Sequence, residues 1–561
     1  MAGARVRAPE LTGAGGWIGA PEGGLALADL RGKVVLLDFW TSCCVNCLRV
    51  TEELRELERR YAGVLVVLGI HSPKFAHERD HEVVRAAVAR HRIAHPVLDD
   101  PGLVTWDAYA VRAWPTLVLV DAAGRVAWTA AGEAHVAELA AAIEQLVAEA
   151  EAAGQLRRGA VDGPHEVLGT GELAFPGKVA SDGGARLAIA DTGHDRILVT
   201  ALDGEVLHEL DGFYQPQGVC WEGPAALLVC ETAADRVWRV ALDGTRKLVT
   251  ARLKSPWDVA IWHGHLALAE AGRHRLWVLD AAGEAQVVAG TGAENLVDGP
   301  ALEALLAQPS GLAVTADGAL AWVDSEASAL RVLDRPGGQV RTLVGQGLFS
   351  WGATDGAADR AALQHPLGLA ACPTGELWIA DTFNGLLRVW RGRHLWTVPV
   401  EGFAEPGGLD VLPDGRLVVA DTGNHRIVLV DASADPPRAE AIDVGRPGSL
   451  DVTGSSPSAV AETVIAEAGG TLEVVLDVPL EGDELDHAGG APVEVTAVAT
   501  DSDLLGGPAS FALDALPARV ELALGRGSGR ITVELRAATC DEHVCRLRRT
   551  QRAYDVILTA P

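Results

Sequence analysis

The chain has 561 residues, 48% of them hydrophobic, and a formal net charge of −29. That length divides into about three domains with ample apolar content for packed cores. The acidity argues against binding nucleic acid or anionic membranes, and no run of 18 apolar residues is present to cross a bilayer.

Met1-Ala2-Gly3-Ala4-Arg5-Val6-Arg7 is not followed by an apolar h-region, so no signal peptide is expected and a cytoplasmic location is the default. The apolar run Val34–Phe39 reads as a buried strand, broken only by Asp38 near its end. Cys47–Tyr61 reads as a helix, with Leu48, Leu54, Leu57 and Tyr61 at roughly helical spacing. Cys44-Val45-Asn46-Cys47 therefore sits where a strand hands over to a helix. Free backbone N–H groups and the positive end of the helix favour a thiolate at Cys44. Two intervening residues let the cysteines close into a small, readily exchanging disulfide ring. A zinc half-site would need a second pair at matching spacing, and none lies in this region. Burial should raise the pKa of Asp38 and make it a proton acceptor for Cys47; the alternative is an Asp at a strand end facing solvent. Cys43 is a third redox candidate or merely a small residue. Thr41 precedes Cys44 by three, as in peroxidatic motifs, but the proline expected before the Thr is missing.

A second strand is expected at Val64–Ile70, followed by His71, read as a surface residue. A helix is expected over Arg79–His91, with Val83, Val84, Ala87 and Val88 on one face. Trp114-Pro115 opens the apolar strand Thr116–Val120, where a proline needs an edge or a special turn. Asp121–Arg125 reads as a hairpin turn, and an amphipathic helix carrying Val136, Leu139, Ile143, Leu146 and Val147 closes the domain. The motif Asp38-Phe39-Trp40-x-x-x-Cys44-x-x-Cys47 resembles the thioredoxin superfamily, nearest its TlpA-like branch, with Cys43 in place of the usual Trp. The resemblance implies an α/β thioredoxin-like fold over residues 1–155, Cys44 as nucleophile, Cys47 as resolving thiol, Asp38 as proton carrier, and Pro115 as a cis proline against the disulfide.

An internal repeat dominates residues 156–445. Its units open at Pro176, Pro216, Pro256, Pro309, Pro366 and Pro406, and each reaches an acid: Asp191, Glu231, Glu270, Asp324, Asp381 and Asp421. Alternating stretches flank each turn, so each unit supplies short antiparallel strands. A residue type needed once per unit is structural rather than catalytic. Six such units resemble a six-bladed NHL β-propeller, and with the first domain they make the chain similar to NHL-repeat-containing thioredoxin-like proteins over nearly its whole length. Glu166–Gly171 looks like a displaced outer strand and is expected to close the ring on the sixth blade. Cys220, Cys230 and Cys372 are read as small core residues.

Residues 446–561 show alternating stretches separated by Gly-rich turns, as in a small all-β sandwich. Within them lies Cys540-Asp541-Glu542-His543-Val544-Cys545. The pair resembles the cysteines of the immunoglobulin-like domain in bacterial transmembrane thiol–disulfide reductases, which implies an internal exchange partner for Cys44 and Cys47. The whole chain is thus read as multidomain: thioredoxin-like, six-bladed propeller and sandwich. The expected activity is thiol–disulfide exchange with a protein dithiol or disulfide, or with a partner on the propeller face. No cofactor or metal is expected. The alternatives are a propeller scaffold or redox sensor without turnover, and a thiol peroxidase.

Overall fold

The structure, a computed structural model, describes residues 5–159, 161, 171–280 and 283–445, and chiefly the strands between 462 and 559. It divides into two compact units, Met1–Val444 and Gly445–Pro561.

The first unit opens with a mixed sheet of β1 (Gly16–Ile18), β2 (Val34–Trp40), β3 (Leu65–His71), β4 (Val97–Asp99), β5 (Thr116–Val120) and β6 (Val126–Ala131). Its order is β1-β4-β3-β2-β5-β6, with β2, β3 and β4 mutually parallel. Around it lie α1 (Val45–Arg60), α2 (His81–Arg90), α3 (Val104–Ala108) and α4 (Val136–Ala152). β2 is buried along its whole length because both of its faces are covered, which is what its continuous apolar run requires. Val34 and Leu36 pack on Val50, Leu54 and Leu57 of α1 and on Leu139, Ile143 and Leu146 of α4. Leu37 and Phe39 face the other way, toward Trp106 and Val111. This is a thioredoxin-like fold. The central strand delivers its last residues to the start of α1.

Six antiparallel sheets follow in chain order and form the propeller. The first is Pro176–Ser181, Arg186–Asp191, Arg196–Ala201 and Val206–Leu210; the last is Pro406–Val411, Leu417–Asp421, Arg426–Asp431 and Arg438–Ile442. The fourth and fifth blades each gain a two-residue outer strand, Gly299–Pro300 and Gly356–Ala357, from the long connections before them. The recurrent acids hold the turns. Asp191, Asp324, Asp381 and Asp421 each accept a backbone N–H from 17 residues upstream, and each pairs with an arginine, Arg196, Arg331, Arg388 or Arg426. Glu231 and Glu270 accept a backbone N–H from 17 and 16 residues upstream and take an indole N–H, from Trp238 and Trp277.

A threonine after the acid stitches four of the six blades to the next, Ala271 and Ser325 standing at that position in the third and fourth. Thr192, Thr232 and Thr382 donate to the carbonyls of Pro216, Pro256 and Pro406 at 2.6, 2.7 and 2.8 Å. Thr422 donates to Pro176 at 2.7 Å and so joins blade six to blade one. The expected closing segment Glu166–Gly171 lies, up to Thr170, outside the described residues; the sixth blade draws its fourth strand, Arg438–Ile442, from its own repeat. The axis is tight. A Cβ on Gly408 would stand 2.7 Å from the Lys178 Cα, and the Lys178 ammonium meets the Asp258 carboxylate across the centre. Only about 10 Å³ stays open there, so the ring is not a pore.

The second unit is a β-sandwich. One sheet contains Glu462–Glu467, Cys545–Thr559, Gly529–Cys540, Val493–Ala499 and Ser510–Leu513 in that order; the other pairs Thr471–Leu476 with Ala518–Ala523. Alternate residues, among them Leu472, Val474, Val520, Leu522, Val533 and Leu535, make the core between them. Arg546–Arg549 belongs to the last strand, and the parallel pairing of Glu462–Glu467 with Tyr554–Thr559 has no sequence signal.

Candidate active site

Cys44 is the N-cap of α1, with extended backbone, and its sulfur accepts the Cys47 N–H at 3.2 Å. A Ser or Asp oxygen usually fills that role. The sulfur here meets the positive end of the helix. The capping also explains why α1 starts at Val45, two residues before its apolar pattern suggests. Cys44 is half-buried, whereas Cys47 is fully buried among Trp40, Val84, Val88 and Val97. Burial pushes the Cys47 thiol well above its ordinary range, and the neighbouring Cys44 sulfur adds to the shift. The two cysteines therefore differ in access, Cys44 being half-buried and Cys47 covered.

Asp38, two residues from the end of β2, is fully buried, and neither carboxylate oxygen has a hydrogen-bond partner among the described residues. Burial raises its pKa to about 7; His95 pulls down against that shift and Glu58 adds to it. His71 corrects the sequence reading. It is the last residue of β3, wholly buried, with its ring edge-on to Trp40 at 5.0 Å. Burial lowers its pKa and keeps the imidazole neutral near pH 7. The Trp114–Pro115 peptide bond is cis, and Trp114 packs against the cluster that holds Cys47.

Glu78 organises the loop before Cys44, and nothing in its sequence neighbourhood marks it. It is fully buried and accepts from the Thr41 hydroxyl at 2.6 Å, the Ser42 hydroxyl at 2.7 Å and the Cys43 N–H at 2.9 Å. Lys74 and Phe75 N–H groups fill its other oxygen. A carboxylate with so many donors is held ionised against the cost of its burial. Cys43 is almost fully buried, and burial together with Glu326 and Glu78 raises its thiol pKa well above the ordinary range.

The propeller completes the site. The α1 start faces the end of the ring where each blade's second strand turns into its third. The buried Gln308 amide accepts from the Val45 N–H and donates to the Cys43 carbonyl, both at 3.1 Å. Around this clamp the amino-terminal domain presents bases and the propeller presents acids. Arg49 meets Asp235 at 2.7 Å, Lys74 meets Glu326 at 2.5 Å, Arg92 meets Asp195 at 2.7 Å, and Arg90 meets Glu405. Beside the clamp a cavity of about 260 Å³ opens, lined by Val45, Leu48, Arg49, Gln215, Asp235 and Trp257.

Cys43, Glu326 and His365 bring ligand atoms within 4.8 Å of one another, the group among the described residues best placed for a metal. The Lys74 ammonium already neutralises Glu326, so the chemistry there is an ion pair beside a thiol. Cys230 lies in the propeller core and Cys220 is half-buried beside it. Cys372 instead sits at a hairpin turn, where its sulfur accepts the Thr374 hydroxyl. Cys540 and Cys545 are register partners at the end of their hairpin, and their side chains lie outside the described residues.

Residues 32–126 match the thioredoxin-like family and residues 403–428 match the NHL repeat. NHL repeat-containing protein 2 of Gallus gallus is 32% identical, across 75% of this chain and 70% of its own. Protein SUPPRESSOR OF QUENCHING 1, chloroplastic, of Arabidopsis thaliana is 33% identical across 72% of this chain and 44% of its own length. Thiol-disulfide oxidoreductase ResA of Halalkalibacterium halodurans is 30% identical across 18% of this chain and 56% of its own. No helix among the described residues is long and apolar enough to cross a membrane.

Proposed function

This chain belongs to the family of NHL repeat-containing thioredoxin-like proteins, and from that premise we propose that it is a thiol–disulfide oxidoreductase. The reading assigns catalysis to residues 1–155, partner binding to the propeller at 156–445, and a second cysteine pair to the sandwich at 446–561. It places the protein in a reducing, cytoplasm-like compartment, where sparse cysteines serve chemistry rather than stabilisation. The observation that carries it is the Cys47 N–H bonded to the Cys44 sulfur at the start of α1, beside a fully buried Asp38.

The Cys44 thiolate attacks a substrate disulfide, forming a Cys44–substrate bond and releasing one substrate thiolate. Asp38 takes the Cys47 proton. Cys47 then attacks the Cys44 sulfur, forming the Cys44–Cys47 disulfide and releasing the second thiol. A carboxyl titrating near 7 suits proton transfer at neutral pH. The cavity beside Val45 admits an extended disulfide-bearing segment of a protein, not a folded domain. Cys540 and Cys545 are proposed to exchange with this pair.

One observation favours a redox-sensing scaffold as a second reading: Cys43 and Cys47 are covered, and Gln308 occupies the Val45 N–H. The peroxidase reading loses support, because Thr41 gives its hydroxyl to Glu78.

Equilibration in glutathione buffers, with thiol trapping and mass measurement, tests the proposal. A two-electron transition of Cys44–Cys47 between about −270 and −120 mV is expected. Failure of these cysteines to pair in any buffer would leave the scaffold. In a Cys47→Ser chain, Cys44 should be trapped as a mixed disulfide, and its absence from Cys540 or Cys545 would remove the internal partner.

A further inference from the structure

Asp38 is sealed on the side where it works. Cys47 is wholly buried, and the loop before it is clamped by Glu78 and Gln308. A proton taken from Cys47 needs another way out.

The way out is marked by a glycine. Gly69 of β3 is the register partner of Asp38, so the two residues face the same side of the sheet. A side chain on Gly69 would begin 3.0 Å from Trp40 Nε1 and 3.4 Å from His95 Nε2. Both nitrogens are buried without a hydrogen-bond partner among the described residues, as are both Asp38 oxygens. Two unpartnered nitrogens therefore flank the one position in β3 that carries no side chain, and the unpartnered Asp38 carboxyl lies in register with it on the same side of the sheet. The other nitrogen of His95, Nδ1, lies 3.2 Å from Glu58 Oε1. The His95 side chain is 3% exposed and that of Glu58 is 25% exposed, so the pair runs from the core to the surface of α1.

We infer that His95 and Glu58 are the route by which the Asp38 proton reaches solvent. This rests on the reading of Asp38 as the proton carrier of the exchange. The carboxyl proton passes to His95 Nε2, the Nδ1 proton passes to Glu58, and Glu58 releases it to water. No bond other than O–H and N–H changes, and the charge that left Cys47 is returned to bulk solvent. Electrostatics link the same groups: His95 stabilises the Asp38 carboxylate and Glu58 opposes it. Among the described residues, the titratable groups coupled to Asp38 include Cys47 from α1, His95 from the loop before β4, and Glu58 from the last turn of α1. His71 is set two residues further along β3 than Gly69, opposite Trp40, and leads to Asp99 at 3.9 Å and from there to His81. It is the competing exit. Trp40 Nε1 donates but does not titrate.

The test is a pH jump on the full reduced chain, following the infrared carbonyl band that Asp38→Asn abolishes. Protonation of Asp38 should slow about tenfold or more in His95→Gln and severalfold in Glu58→Gln, as expected when a positioned acid–base group is lost. Glu58→Gln keeps a hydrogen bond to His95 at a partly exposed site, so it reads out the route even where His95→Gln folds poorly. An unchanged rate in Glu58→Gln and His95→Gln, or slowing by His71→Asn in their place, overturns the inference. The readout needs no substrate. A chain whose cysteines never pair, but whose Asp38 protonation depends on His95, would fail the oxidoreductase reading and keep the route.

Discussion

At Asp38 a carboxyl group is held where its charged form is poorly solvated, and this has a measurable cost. Its pKa in the folded chain is about 7 against an ordinary 3.8. The unfolded chain therefore releases this proton first, and stability falls as pH rises between those values. Asp38→Asn should match the parent near pH 4, gain stability progressively to pH 7, and level off above it at up to about 4 kcal/mol. Denaturant melts of both chains across that range check this; a gain that keeps growing at higher pH would point to another group. The same substitution should slow exchange. Asp38, Cys44 and Cys47 were legible because a strand pattern, a helix pattern and a two-residue spacing place them within ten positions. Glu78 and Gln308 were not, because they bond to the cysteine loop across 35 and up to 265 residues. His71 was misread because its strand end is covered by Trp40 of β2 and paired with Asp99 of β4.

Among the elements, the blade seams carry the most repeatable chemistry. Each joining threonine is buried and donates to a proline carbonyl that opens the next blade. Thr422→Val leaves the Pro176 carbonyl without its donor and should cost about 1–2 kcal/mol. The expected signature is a lower urea midpoint with an unchanged slope, and Thr422→Ser should recover most of it. An equal loss in Thr422→Ser would assign the effect to packing of the methyl group. The proline starts and acid turns were readable at a fixed offset, which is why the six blades could be counted. The sandwich was only partly readable. Its parallel pair joins segments some ninety residues apart.

For the unit that joins the thioredoxin-like domain to the propeller, the interface is electrostatic and mostly buried. Burial raises the Glu405 pKa, but Arg90 and His77 outweigh it and hold the carboxyl at about 2. A lowered carboxyl stabilises above its ordinary pKa of 4.5, and that contribution is lost as pH falls toward 2. Glu405→Gln should remove this acid dependence, worth about 3 kcal/mol at neutral pH, and leave Arg90 with a weaker partner. Alkylation of Cys44 should then be severalfold faster than in the parent at pH 7, since the clamp over the cysteine loop opens more often. Equal alkylation rates would mean that Gln308 alone governs access. Arg49 and Arg90 lie on helices of one domain and meet acids supplied by the ring.

The Gln308 clamp also sets a schedule for biosynthesis. Val45 waits for a partner made 263 residues later. At roughly 5–20 residues per second, a ribosome needs on the order of 13–50 s to reach it. Through that interval the emerging amino-terminal domain has no Gln308 to cover its cysteine loop. The nascent chain is then the form in which its thiols meet other molecules most freely, so the cell handles an uncovered dithiol before it handles the finished protein.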